Sequence, residues 1–449
     1  MSLVFILVFI IIFIIVASST FKLHPFLTLI LASFITALAC QLPMSQIAHI
    51  INQGFGNILS YIGLVIVLGT IIGTILEKSG AAITMADVVI KLLGKRYPTL
   101  TMSIIGYLVS IPVFCDSGFV ILNALKQSMA ERMQISSVAM SIALATGLFA
   151  THTFVPPTPG PIAAAGNLGL SAHLGLVIGL GLIISAIAAI AGILWANQFT
   201  QIAPDGDIDN QHHEPLKEPT SQYPQLPSPL GAFSPIFIPI FLICVGSIAQ
   251  LPINPFGQGG LFEILITLGQ PVNALIIGLF ISLTLLKGKG KIQQLSQHVS
   301  HGLTLAAPIL LITGAGGAFG AVLNATPIGD FLGSHLSQLG LGLFMPFIVA
   351  AALKSAQGSS TVALVTTSAM VAPMLDSIGL SSDMGRALTV MAIGSGAMTV
   401  SHANDSFFWV VTQFSHMSVK QAYKAQTLAT LIQGLVSITF IYLLSLLLL

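Results

Sequence analysis

Apolar runs near the length of a bilayer crossing recur along the chain. Continuous runs lie at about 3–20, 25–41, 57–77, 171–197, 234–252, 271–287, 303–324 and 426–449. Four further apolar stretches, 98–133, 136–169, 343–375 and 385–416, are interrupted by polar, Gly or Pro residues. The pattern predicts membrane helices for the first set and broken helices or hairpins for the second. The first run has no basic flank and no clean small-residue cleavage site, so it reads as a retained helix. One long polar stretch, 200–232, carries Asp205, Asp207, Asp209, Glu214 and Glu218, with six prolines from Pro204 to Pro229. It predicts a solvated linker between a first half at 1–199 and a second at 233–449.

Composition sharpens this picture. Of 449 residues, 15 are Lys or Arg and 14 are Asp or Glu, and 55% are hydrophobic. A soluble domain carries roughly a quarter charged residues, so the composition excludes a cytosolic enzyme and a disordered chain. A net charge of +1 offers no surface for nucleic acid. Cys40, Cys115 and Cys244 have no paired spacing, which excludes a disulfide scaffold and a zinc ribbon. No P-loop spacing occurs, and His212-His213 lack a second ligand pair, so no cofactor and no metal are implied. The expected fold is an all-α polytopic membrane protein.

The two halves resemble each other. "GTIIGTILEKSG" from Gly69 matches "GGAFGAVLNATP" from Gly316, with Gly69/Gly316, Gly73/Gly320 and Leu76/Leu323 all offset by 247. "SIPVFCDSGFVIL" lies opposite "ALKSAQGSSTVAL", and His152 and His402 are 250 apart. If the first interrupted segment of each half is a re-entrant hairpin and the second a broken crossing helix, each half has five spans. Five is odd, so the second repeat is inverted, the architecture of secondary transporters. Under this topology one side receives Lys22, Lys78, Lys91, Lys95, Arg96, Lys126, Arg132, Lys217, Lys287, Lys289, Lys291, Lys420 and Lys424. The other receives Arg386, and Lys354 falls within a hairpin. The positive-inside rule makes the basic side and the linker cytoplasmic and both termini periplasmic. The Gly316, Gly317 and Gly320 cluster predicts close helix packing rather than phosphate binding.

The interruptions are the candidate site, because non-helical backbone at membrane depth must line protein or a wet cavity. They are Pro112–Gly118, Thr151–Pro161, Lys354–Thr361, and Gly394-Ser-Gly396 followed by Ser401–Ser406. Their hydroxyls, free N–H groups and half-helix N-termini suit a hydroxylated carboxylate. Candidate substrate contacts are Ser117, Gly118, His152, Thr153, Thr158, Lys354, Gly358, Ser359, Ser360, Thr361, His402 and Asn404. Intramembrane ionisable residues default to function, so Asp116 and Asp405 are candidate proton-coupling groups. The plainer alternatives are an N-cap for Asp116, a turn cap for Asp405, packing hydrogen bonds for the two histidines and a snorkelling chain for Lys354.

"THTFVPPTPGP", "GSSTVA" and "GSGAMTVSHANDSFFW" resemble the gluconate:proton symporter family, the gluconate permeases, within a broader ion-transporter superfamily. The resemblance covers essentially the whole chain. It implies dimers of inverted repeats with paired hairpins and an elevator-like movement. It also implies proton-coupled uptake of small hydroxy-carboxylates, such as gluconate, across the bacterial inner membrane. Three positions depart from the family pattern. Cys115-Asp116-Ser117-Gly118 replaces a Tyr-Glu before Val-Gly, Lys354 replaces an Arg, and Thr158 replaces the His of P-P-H-P. Glycerate, a C4 sugar acid or D-serine are therefore alternative substrates. A membrane-embedded enzyme and a channel are the rivals from other classes.

Overall fold

Apolar runs become helices, and the chain breaks where proline, glycine and capping residues punctuate them. The computed structural model describes residues 3–449 except 20, 22, 94–96, 206–225, 250–255, 258, 287–289, 327–340 and 403–404. Among the described residues all regular structure is helical. The first half contains α1 (Leu3–Ser19), α2 (Pro25–Ala39), α3 (Met44–Lys78), α4 (Ala81–Leu93), α5 (Pro98–Val109), α6 (Cys115–Met133), α7 (Ser137–Phe154), α8 (Pro159–Asn167) and α9 (Leu174–Ala196). The second contains α10 (Pro229–Ala249), α11 (Gly260–Gly269), α12 (Pro271–Ser282), α13 (Lys291–Asn324), α14 (Phe344–Gln357), α15 (Ser360–Val371), α16 (Asp383–Met398), α17 (Ser406–Phe414) and α18 (Val419–Leu448).

Among the described residues five helical segments are long and apolar enough to span a membrane, or seven if each bent pair is one span. The stretch 136–169 is one of these, Ser137–Asn167, crossing its own break. By contrast α2, α5, α14 and α15 are apolar but too short to cross alone.

Two helices start well before their apolar runs. α3 begins at Met44 because Gln46, His49, Asn52, Gln53 and Asn57 point outward while Ile47, Ile51, Gly54 and Ile58 face inward. That 3.6-residue stripe is amphipathic, so mean apolarity understates it. α13 likewise starts at Lys291, ahead of the run at 303–324. A further correction concerns Gly394 and Gly396. They do not interrupt α16, which runs on to Met398. A Cβ at Gly394 would lie 2.8 Å from the Thr153 carbonyl, and one at Gly396 would meet the Phe347 carbonyl. These glycines let backbones approach.

α3 packs along α13, and α9 along α18. α5 packs on α7 as α14 packs on α16, while α6 meets α17 and α8 meets α15. Gln433 of α18 is buried and donates to the carbonyls of Thr146 and Ala188, both at 3.0 Å, joining α7 and α9.

The basic residues do not all sit on a solvated face. Lys126 is fully buried. Lys22, Lys95, Arg96, Lys217, Lys287 and Lys289 lie outside the described residues, as does most of the linker with His212 and His213. At the linker's described start, the Asp205 carboxylate accepts from the Ser418 N–H at 2.9 Å. That bond holds its carboxyl below the usual range.

The α3–α13 contact is tight at Gly54 and Gly317. A Cβ on Gly317 would lie 2.5 Å from Ile58 Cγ2 and 2.7 Å from the Gly54 carbonyl, whereas one on Gly56 meets nothing within 4 Å. Gly317→Val therefore costs about 1–3 kcal/mol through overpacking and lowers the melting midpoint in detergent. Gly56→Ala leaves stability unchanged or raises it by about 0.4–1 kcal/mol, so the midpoint holds or rises slightly.

Candidate functional site

The breaks satisfy their own backbone. Between α5 and α6, Ser110 donates to the Val113 carbonyl at 3.0 Å. Between α7 and α8, Thr158 Oγ1 donates to the Val155 carbonyl at 2.5 Å. Between α14 and α15, Gly358 takes a left-handed φ of 85°, which glycine adopts without strain. There Ser359 caps α15 through the Val362 N–H at 3.3 Å. After α16, the Ser401 N–H donates to Thr430 Oγ1 at 2.9 Å, and Thr427 Oγ1 donates to the Ser401 carbonyl at 2.6 Å. Each bond replaces one that water would otherwise supply.

Lys354 ties two breaks together. Its Nζ donates to the Gly358 carbonyl at 2.5 Å and to Asp405 Oδ2 at 2.6 Å. Both side chains are buried, Lys354 at 1% exposure and Asp405 at 4%. Ser401 Oγ also donates to Asp405 Oδ2 at 2.5 Å, and the Phe407 N–H donates to Oδ1 at 3.1 Å, so Asp405 is the N-cap of α17. A buried ion pair needs such extra bonds to offset desolvation. The Phe149 ring adds a π face 5.6 Å from Lys354 Nζ.

Above this pair lies a cavity of about 260 Å³. Phe114, Cys115, Asp116, Phe149, His152, Gln357, Gly358, Ser359, Ser360, Thr361, Asp405, Ser406 and Phe407 line it. The N-terminal residues of α6, α15 and α17 all stand in this wall, so three helix N-termini converge there. Three buried polar atoms in the wall have no hydrogen-bond partner among the described residues: Asp116 Oδ1, His152 Nδ1 and Gln357 Nε2. Asp116 Oδ2 accepts from Ser406 Oγ at 3.4 Å. The His152 ring stacks on Phe149 at 6.4 Å and stands 6.0 Å from Phe114. The volume is just under the roughly 300–1,000 Å³ common for ligand pockets, which suits a small occupant. A second cleft between α3, α8, α9 and α10 is apolar throughout, with room for about 20 Å³, and offers no chemistry.

Seven of the residues expected from sequence share this cavity: Asp116, His152, Gly358, Ser359, Ser360, Thr361 and Asp405. The others do not line it. Lys354 stands behind the wall on Gly358 and Asp405. His402 Nε2 lies 3.0 Å from the Ser355 carbonyl. Ser117 is half-buried one residue past Asp116, and Gly118 packs on Leu148. Thr153 Oγ1 donates to the Phe149 carbonyl at 3.0 Å, in the helical ladder of its own α7. Thr158 sits in an adjoining crevice with Gly69, Thr70 and Pro112. Asn404 lies outside the described residues.

Sequence reasoning passed over Gln357, Cys115 and Ser406, although each lies inside a recognised interruption. It also missed Phe114, inside the Pro112–Gly118 interruption, and Phe149 and Phe407, because an aromatic residue beside apolar ones carries no local signal. Among the described residues, no three His, Cys, Asp or Glu side chains group to hold a metal ion.

The model of the GntP family permease matches residues 1–447. A gluconate permease of Pseudomonas aeruginosa is 34% identical over 432 residues, covering 95% of this chain and 94% of its own length. The D-serine transporter DsdX of Escherichia coli K12 is 32% identical over 433 residues, covering 95% and 94%. Among solved structures, the Neisseria gonorrhoeae MtrF structure, whose title describes a class of antimetabolite efflux pumps, superposes with a TM-score of 0.67 at 14% identity, covering 95% and 96%. The Alcanivorax borkumensis YdaH transporter gives 0.65 at 13%, covering 93% and 97%. The structural likeness shows a shared helical fold. The family match over nearly the whole chain decides the rest: this multi-pass membrane protein belongs to the GntP family of permeases and is a transporter, not an enzyme.

Proposed function

We propose that this permease takes up gluconate or a related small hydroxy-carboxylate with protons across the bacterial inner membrane. The observation that carries this reading is the meeting of three helix N-termini on one small polar cavity backed by Lys354. Helix N-termini offer unpaired N–H groups and partial positive charge, which suits a carboxylate. The unpaired Asp116, His152 and Gln357 atoms suit the hydroxyls beside it.

Coupling follows from the single ammonium. Lys354 holds Asp405 at 2.6 Å. An incoming substrate carboxylate competes for the same cation. Protonating Asp405 removes one competitor, so substrate and proton bind together more readily than either does alone. Asp116, at the cavity edge, takes the proton from outside and passes it inward. The proposed architecture is two inverted repeats of five spans plus a re-entrant hairpin each, 1–199 and 233–449, around a cytoplasmic linker at 200–232. The symmetric pairing of α3 with α13 and α9 with α18 supports it, as does the exchange of α6–α17 and α8–α15 contacts. The positive-inside rule puts both termini on the periplasmic side, and the family resemblance implies a homodimer whose hairpins carry substrate in an elevator-like movement.

A second reading is D-serine. Its ammonium needs an anion, and Asp116 offers an unpaired carboxylate oxygen in the wall. A relative at 32% identity is a D-serine transporter.

Proteoliposomes under an inward proton gradient test both readings. Labelled gluconate accumulates, and unlabelled glycerate, threonate and D-serine compete weakly. Strong displacement by D-serine instead puts the second reading first. Asp116→Asn abolishes gradient-driven accumulation while sparing exchange, and full concentrative uptake by that variant removes Asp116 from the mechanism.

Lys354→Met leaves the Asp405 carboxylate buried without its partner, a loss of about 3–5 kcal/mol seen as a lower melting midpoint. Lys354→Met with Asp405→Asn recovers most of that stability yet does not accumulate substrate. Gradient-driven uptake by the double variant at wild-type rates excludes the ion pair from coupling.

A further inference from the structure

The mechanism above leaves one buried cation unused. Lys126 of α6 is 0% exposed. Among the described residues the salt bridges are Lys78–Glu77, His173–Asp383 and Lys354–Asp405, so no carboxylate neutralises it. Burying an unpaired ammonium is costly. Its compensation is specific: Nζ donates to the carbonyl of Phe414 at 3.0 Å and stands 5.1 Å from the centroid of Phe119. Phe414 is the last residue of α17. A cation at a helix C-terminus meets orphan carbonyls and the negative end of the dipole.

The contact belongs to a larger arrangement. α6 and α17 lie side by side and run in the same direction. At their N-terminal ends Ser406 Oγ donates to Asp116 Oδ2 at 3.4 Å. Close to those ends Phe119 meets Phe407 edge-on at 6.2 Å. At the far end Lys126 holds Phe414. Two parallel helices side by side repel through their dipoles, so this pair needs something to hold it. Phe407 continues to Phe149 at 5.3 Å, and Phe149 faces Lys354. One nine-residue helix is thus gripped by a buried lysine at each end, Lys354 through Asp405 and Lys126 through Phe414.

We infer that Lys126 is a positioning residue for transport. It fastens the C-terminal end of α17 to α6, so that Asp116 and Asp405 present themselves to the substrate as one unit. The inference rests on the cavity being the substrate site proposed above.

Lys126→Met keeps the stem and removes the charge, and Lys126→Arg keeps the charge. Each is purified, melted in detergent, and assayed for uptake of labelled gluconate and D-serine per unit of reconstituted protein. Lys126→Met folds but raises the KM of the transported acid by about tenfold or more, and Lys126→Arg lies between it and wild type. A merely structural role lowers only the amount of active protein, reducing the maximal rate at unchanged KM. Wild-type KM in Lys126→Met, or equal KM in the Met and Arg variants, overturns the inference. If Lys126→Met does not reconstitute, Lys126→Gln, which still donates to a carbonyl, makes the same comparison with Lys126→Arg. A wild-type protein that takes up neither compound overturns both this inference and the cavity reading. Normal wild-type uptake with unaltered variants overturns this inference alone.

Discussion

Backbone that leaves its helix inside a low-dielectric interior must find every hydrogen bond within the protein. Lys354 meets that demand for two breaks with one ammonium. It satisfies the Gly358 carbonyl at the turn between α14 and α15, and it neutralises Asp405, which caps α17. Around it, Ser401, Thr427 and Thr430 bind the remaining groups of the break that follows α16. The cavity wall is built from these breaks, and Lys354 ties two of them together. A cation so placed is poorly available to a ligand until something else releases it. That constraint makes competition for Lys354 the simplest physical basis for the proposed coupling.

The cavity's electrostatics are a balance rather than a single sign. Three helix N-termini favour an anion, while Asp116 and Asp405 resist one. A monocarboxylate with hydroxyl groups fits a wall in which one acid is already paired and the other offers an acceptor. The same balance accommodates a zwitterion, whose ammonium would face Asp116. Family membership alone does not choose between these, since relatives named for gluconate and for D-serine match over similar lengths. Of the three departures from the gluconate permease pattern, Asp116 lines the cavity and Lys354 backs it, whereas Thr158 sits in the adjoining crevice. Selectivity is therefore best sought in the first two and in Gln357.

The breaks were legible in the sequence because proline, glycine and hydroxyl residues punctuate otherwise apolar runs. Asp405 capping a helix was legible too, since Asp before an apolar stretch is an N-cap pattern. What escaped was non-local. The start of α3 hid behind its polar outer face, although its Ile47, Ile51, Gly54 and Ile58 stripe carried the signal. Gly394 and Gly396 read as a break, yet they serve close packing on Phe154 and Ala350. Thr153 and Thr158 share a motif with His152, but local carbonyls take their hydroxyls. Lys126 precedes a polar run and reads as a solvated loop residue, and only the arrival of α17 from 288 residues away buries it. Spacing within a motif locates a break well. It does not say which side chains of that break face the opening.

The short length of α17 has a further consequence. Nine residues span about 13 Å, and a helix so short has little stability of its own. Its position is set by what holds its ends and one flank. Those holds come from different elements: α14 through Lys354, α6 through Lys126, and the aromatic row of Phe119, Phe407 and Phe149 between them. A motion that carries α17 without α14 or without α6 must break a lysine contact. Keeping both contacts moves α6, α14 and α17 together with the cavity between them intact, which an elevator-like transporter requires. Breaking them would leave the buried Lys126 ammonium without its Phe414 acceptor and the buried Lys354 with the Gly358 carbonyl but no counter-charge, which is costly. The first course is the cheaper one, so in the proposed movement α6, α14 and α17 travel as one body.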